Sequence, residues 1–242
     1  ATVNSGGAVN VFGAGAQWVL HDSLFIGGNR TKRSGTGSVT VTSGAHLSVA
    51  NTLKLWFLKR HGDLGTGAYE QSGNLILNGG TASIGALDIF GGVISGSGAI
   101  RVTNTVTWYG GKLSGNGSVD ALDGMVITGG VVSNLFNLDN DSYWPAMPPQ
   151  PPLGYTYDPN CGVPRPFTFD GWSITNHGDA VFSGGLNLVA INNAKFVNLT
   201  SGTFETQTDA ALSGTASFSN YGLFRKTAGT NTMNVQWAFR NP

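Results

Sequence analysis

Apolar and polar residues alternate along this chain in short bursts, each bounded by Gly, Asn or Ser. Val39-Thr40-Val41, His46-Leu47-Ser48-Val49, Leu75-Ile76-Leu77, Ala86-Leu87-Asp88-Ile89 and Leu186-Asn187-Leu188 all follow this pattern. A period of two predicts a short strand with one face turned inward. No stretch carries a helical period with caps. The predicted elements are therefore many short strands joined by tight corners. Gly and Asn are expected to supply the left-handed backbone angles at those corners.

The bursts are ordered by a repeat. Gly91-Gly92, Gly110-Gly111 and Gly129-Gly130 open GGVISG, GGKLSG and GGVVSN, each pair 19 residues after the last. A fixed period near 20 with β-branched residues at matching places is the signature of a solenoid. Looser copies share a Gly-x-Gly corner at Gly35–Gly37, Gly65–Gly67, Gly96–Gly98 and Gly115–Gly117. The longer early intervals predict loops bulging from regular coils, the second carrying the run from Lys54 to His61. Towards the C-terminus Phe204, Phe218 and Phe224 each follow a Gly or Gly-Thr corner, which predicts an aromatic row inside the coil.

The repeat breaks between residues 135 and 171. Eight of the nine prolines fall between Pro145 and Pro166, and proline donates no ladder hydrogen bond. The reading is one continuous solenoid domain: coils over 1–134, a proline- and aromatic-rich insert over 135–171, and coils again over 172–242. The insert is expected to be an ordered loop packed along one face. Outside it, coils of about 20–22 residues give some nine or ten turns and a rod of roughly 45 Å.

Composition adds a setting. Charged residues are only 11% and Gly numbers 37, against about a quarter charged in ordinary soluble domains. A surface of Thr, Ser, Asn and Gly suits an extracellular or cell-surface β protein. Net charge is zero, which implies no general attraction to nucleic acid or anionic membrane. No apolar run reaches membrane-spanning length. Cys161 is the single cysteine, so no internal disulfide forms. Residues 1–61 hold six Lys and Arg against Asp22 alone, and the remainder holds seven against twelve acidic groups. A rod with these halves at opposite ends is expected to be a weak dipole. The opening ATVNSGG reads as mid-repeat and the closing FRNP carries no polar cap. Both ends are expected to be cut or covered by partners.

Two segments are more specific. Thr107-Trp108-Tyr109-Gly110-Gly111-Lys112-Leu113-Ser114-Gly115-Asn116-Gly117 resembles repeats of large bacterial surface and secreted β-helix proteins, of the autotransporter-passenger and adhesin-like kinds. Phe218-Ser219-Asn220-Tyr221-Gly222-Leu223-Phe224-Arg225-Lys226 resembles the same group. The resemblance implies a right-handed parallel β-helix outside the cell. It implies no activity, because the group includes adhesins, stalks and scaffolds.

Candidate chemistry is sparse. Arg30, Lys32, Arg33, Lys59, Arg60 and His61 precede two corners that, if stacked, would place them in one basic patch suited to an acidic polysaccharide. Solvated loop charges are the plainer reading. Trp144, Tyr155 and Tyr157 of the insert could stack on sugar faces or anchor a protein interface, or merely glue the insert to the rod. Asp139 and Asp141 could ligate Ca2+ through oxygen, although an Asx turn explains them equally. No nucleophile motif, zinc spacing or phosphate loop is present. Carboxylates are few, with Asp120, Asp123, Asp170 and Asp179 near corners, so the reading leans away from an enzyme. The expected function is an extracellular structural module, a filament, stalk or adhesin-type β-helix. It would self-associate end to end through unpaired strand edges. The alternative is a β-helix that binds or cleaves an acidic glycan.

Overall fold

A computed structural model describes residues 6–31, 35–56, 73–128 and 167–242. Every strand pair registered among them runs parallel, and the strands belong to one sheet of 21. The chain visits three ladders in turn and then climbs one rung, giving an all-β, solenoid-like fold. The first ladder begins with Gly6–Phe12, Thr36–Thr42 and Gly73–Asn78. The second begins with Gln17–Leu20 stacked under His46–Trp56. The third begins with Leu24–Ile26, whose residues pair with Leu53, Lys54 and Leu55. Thr81–Gly96 runs through all three ladders without a break.

Eight full circuits and the start of a ninth, at Ala238–Arg240, are formed by the described residues. Eight steps of about 4.8 Å make a rod of roughly 38 Å. The alternation predicted from sequence sets which residues enter it. In His46–Trp56, Leu47, Val49, Leu53 and Leu55 are buried while Ser48 and Lys54 face outward. Burying alternate Val, Leu and Ile side chains removes about 1.5–3 kcal/mol of apolar exposure each, and no rung can do so alone.

The ladders run on across the proline-rich region. Ser118 pairs with Ser173, Gly124 with Asp179, and Lys112 with Thr168. Phe167–Asp170, read from sequence as the end of the insert, is a strand of the first ladder. Phe167 and Phe169 are fully buried, edge-on to Trp108 at 5.6 and 6.4 Å. They fill the core instead of decorating the surface because their alternation with Thr168 points both inward. The expected C-terminal aromatic row is present: Phe196, Phe204 and Phe218 meet at 5.1 Å in edge-to-face pairs, continued by Phe224 and Phe239.

Gly91-Gly92 and Gly110-Gly111 mark the junction of the third and first ladders, and Gly129-Gly130 lies outside the described residues. A Cβ on Gly92 would run into Gly73 O and stand 2.8 Å from Leu55 Cβ. Gly111 has φ of 105° and would collide with Gly92 O. Rung contact, more than turn angle, explains the first, and both requirements act on the second. The Gly-x-Gly corners do not form one stack. Gly37 pairs with Gly73 at the entrance to the first ladder, whereas Gly96 pairs with Gly115 at its exit. Gly65–Gly67 lies outside the described residues.

Asparagine departs most from its expected role. Among the described asparagines only Asn192 and Asn193 take positive φ. Asn176, Asn198 and Asn220 are buried at the end of second-ladder strands and form an amide ladder. Asn176 Nδ2 donates to Asn198 Oδ1 at 2.8 Å, Asn198 Nδ2 to Asn220 Oδ1 at 2.8 Å, and Asn220 Nδ2 to Asn241 Oδ1 at 2.7 Å. Each amide also donates to corner carbonyls, Gly178, Gly202 and Gly222 among them. The amides give these corner carbonyls a second donor beside the inter-rung backbone bonds, Thr203 N–H to Gly178 O and Leu223 N–H to Gly202 O, each at 3.0 Å.

Candidate functional site

The edge between the third and first ladders carries every long connection. Residues 27–35, 57–72, 128–166, 183–187, 207–211 and 227–234 all join a third-ladder strand to the next first-ladder strand or bridge. The other two edges are turned in a few residues, as at 171–172 and 177–178. Insertions gathered on one edge of a solenoid mark its most variable and most accessible surface.

Beside this edge runs an outward column of rings. Trp56 stacks on Phe90 at 5.0 Å, and Phe90 on Tyr109 at 4.1 Å, with interplanar angles of 29° and 22°. Rungs this close leave no room for a ligand between the rings, so the column offers edges, not faces. Burial, with Asp88 nearby, pushes the Tyr109 phenol above its ordinary pKa. Lys54 Nζ sits 5.1 Å from the Trp56 ring centre and 4.8 Å from that of Phe90, and pairs with Asp88 at 3.5 Å. The alternation Leu53-Lys54-Leu55 makes Lys54 part of a strand; its assignment to a loop from sequence is thereby corrected.

Below the column a cleft of about 440 Å3 opens on the outer side of the third ladder. Asp22 stands at one wall, its carboxyl held below the usual range by hydrogen bonds from Asn51 and then Ser23. Arg30 stands at the other. Of the residues proposed from sequence as a basic patch, Arg30 alone lies within the described residues, exposed on the segment after Ile26. Lys32, Arg33, Lys59, Arg60 and His61 lie outside them, as do Trp144, Tyr155, Tyr157, Asp139, Asp141 and Cys161. Both basic runs belong to connections that leave the same edge on successive rungs.

The chain has no significant match to any protein-family profile, curated protein or solved structure.

Three further carboxylates among the described residues are engaged in structure. Asp170 accepts from Asn192 at 2.7 Å and pairs with Lys112 at 3.0 Å, which holds it below its ordinary pKa. Asp120 faces His177 at 3.8 Å on the next rung. Asp209 clamps the connection after Lys226 through Lys226 and the N–H groups of Thr230 and Asn231. Among the described residues no three His, Cys, Asp or Glu side chains come close enough to hold a metal. No helix among them is long and apolar enough to cross a membrane.

The negative charge beyond residue 61 is unevenly spread. The acidic excess lies in the middle of the chain, because residues 171–242 carry Lys195, Arg225, Lys226 and Arg240 against Asp179, Glu205 and Asp209. Both ends are basic. The sequence reading missed the cleft residues Asp22, Ser23, Asn51 and Thr52. They come together only because the rung climbs 29 residues between Asp22 and Asn51, a longer step than the 19-residue repeat that betrays the other coils. Asn198, in a glycosylation sequon by sequence, is wholly buried in the amide ladder and is no acceptor.

Proposed function

We propose that this chain is a right-handed parallel β-helix that serves as an extracellular structural module and self-associates through its end rungs. The handedness follows from the strong preference of parallel crossover connections for the right hand and from the resemblance to bacterial surface repeats. The observation that carries the reading is the stack of parallel ladders that runs through all the described residues around an apolar interior. Among the described residues Gly6–Phe12, Gln17–Leu20 and Leu24–Ile26 are paired on one side only, and Val9, Phe12 and Val19 are exposed on these strands, Phe12 at 74%. At the other end Leu223 and Phe239 are exposed on strands likewise paired on one side. Parallel strand edges of the same three ladders are complementary to one another, so a second copy stacked head to tail would continue each ladder.

The interior supports a scaffold role, being filled by Leu, Ile, Val and aromatic side chains with no cluster of reactive groups among the described residues. Sedimentation of this chain across a salt series tests the reading. Because both end segments are basic, association should strengthen as salt screens their repulsion. A chain that stays monomeric at high concentration and high salt would refute it. So would association unaffected by Phe12→Asp.

A further inference from the structure

The cleft on the third ladder is built by three successive rungs and the segment that follows Ile26. Its floor is a single register column, Phe25, Lys54 and Asp88 on successive rungs. One wall is the segment carrying Asn29 and Arg30. It is strapped across the strands by Trp56 Nε1 donating to Asn29 O at 2.8 Å and Lys54 Nζ to Arg30 O at 3.5 Å. The other wall is the corner carrying Asp22 and Asn51, joined at 2.9 Å. The volume, about 440 Å3, falls in the range of small-molecule sites.

The charges decide what fits. Asp22 and Asp88 balance Arg30 and Lys54, so the cleft has no net sign. A polyanion meets two carboxylates there, a cation meets two fixed cations, and an apolar ligand meets one ring. A hydroxyl group donates and accepts at once, so it can accept from Lys54, Arg30 or Asn51 while donating to a carboxylate. Asp22 Oδ1 takes the side-chain bonds from Asn51 and Ser23, and Asp22 Oδ2 can accept from a ligand hydroxyl. The Lys54 contacts, at 3.5 Å, leave its ammonium room for a further acceptor. We infer that this cleft binds a neutral pyranose sugar through its vicinal hydroxyls. The site is independent of end-rung association, and its composition argues against the acidic glycan expected from the basic runs.

The test is a titration of the whole chain with short gluco-, galacto- and manno-oligosaccharides, followed by amide chemical shifts. At least one series should move the Asn51 and Lys54 amides with a Kd of about 1 mM, ordinary for a few exposed polar contacts. Asp22→Ala should weaken that binding about tenfold or more. Thr52→Trp, which fills the cleft from an outward strand position, should abolish it while leaving the amide ladder's signals in place. Three results would overturn the inference. The first is no shift at these amides with any neutral oligosaccharide at about 10 mM. The second is binding that survives both substitutions. The third is tighter binding of an oligouronate, or of Ca2+ alone, at the same amides.

Discussion

Asn198→Ala strikes the middle of the amide ladder. The side chain is fully buried, accepts one inter-rung bond from Asn176 and donates another to Asn220, with further contacts to Gly202 O at 3.1 Å and Leu223 O at 3.2 Å. Not all of these partners are stranded by the loss. Asn176 Nδ2 keeps Gly178 O at 2.7 Å, and Gly202 O keeps the Leu223 N–H at 3.0 Å. Asn220 Oδ1 is left without its donor. Two lost inter-rung bonds at about 1 kcal/mol each and one orphaned buried acceptor at about 1–3 kcal/mol predict a loss of about 3–5 kcal/mol. Urea unfolding followed by tryptophan fluorescence gives the value from the midpoint shift at unchanged slope. Rungs contact only their neighbours, so the C-terminal rungs could melt as a separate step. Amide exchange should then show lost protection confined to the strands from Ser173 to Arg240. A loss under about 1 kcal/mol, or a loss of protection spread evenly along the rod, would show that the ladder does not bear the stability assigned to it.

Three further outcomes follow from the same geometry. Asn176 Oδ1 is buried without a partner, and Ala121 occupies the register position one rung below, so Ala121→Asn should extend the ladder and raise stability by about 1 kcal/mol in the same urea assay; no gain would mean the orphan is already satisfied. Gly92→Ala should cost about 2–3 kcal/mol by forcing a Cβ onto Gly73 O, whereas Gly185→Ala, with nothing within 4 Å, should be close to neutral. Glu205 is held at a pKa of about 2 by hydrogen bonds from Gln207, then Thr227, then Arg225. Its folded pKa is depressed, so its stabilisation is present above the ordinary value of 4.5 and disappears as pH falls towards 2; Glu205→Gln should flatten that part of the acid limb, and an NMR titration midpoint near 4.5 for Glu205 would contradict the assignment.

Much of the scaffold was legible because its signal is local. Period-two alternation in His46–Val49 or Leu75–Leu77 names both the strand and its buried face, and Gly91-Gly92 with Gly110-Gly111 names the repeat. The asparagine ladder was hidden by a residue with two uses. Buried Asn is rare enough that corner chemistry is the natural assignment, yet the spacing held a clue: SITN, KFVN and SFSN place Asn at 176, 198 and 220, a step of 22. Phe167 and Phe169 were misplaced because nearby prolines drew the insert's boundary too late. The cleft was illegible for a different reason. Asp22, Asn51 and Asp88 are brought together by rung register, and register across unequal intervals is set by the whole coil, with no trace in any one segment.

The parallel pairing of Ser118 with Ser173 also divides the folding of the rod. On the second ladder partners lie 29 and 35 residues apart in the first two steps, Gln17 with His46 and His46 with Thr81, and about 20 apart in the later ones, as with Ala99 and Ser118 or Ser173 and Lys195. At this one seam the separation is 55. Closing the longer loop costs only about 0.9 kcal/mol more by chain entropy, so the finished rod hardly registers it. The search for the correct rung is the slower event, because non-local pairing is what delays parallel sheets. Each side of the seam has local contacts enough to zip first, and the two halves then dock as preformed stacks. The seam between Ser118 and Ser173 is thus where folding should finish and where mechanical or thermal unzipping should begin.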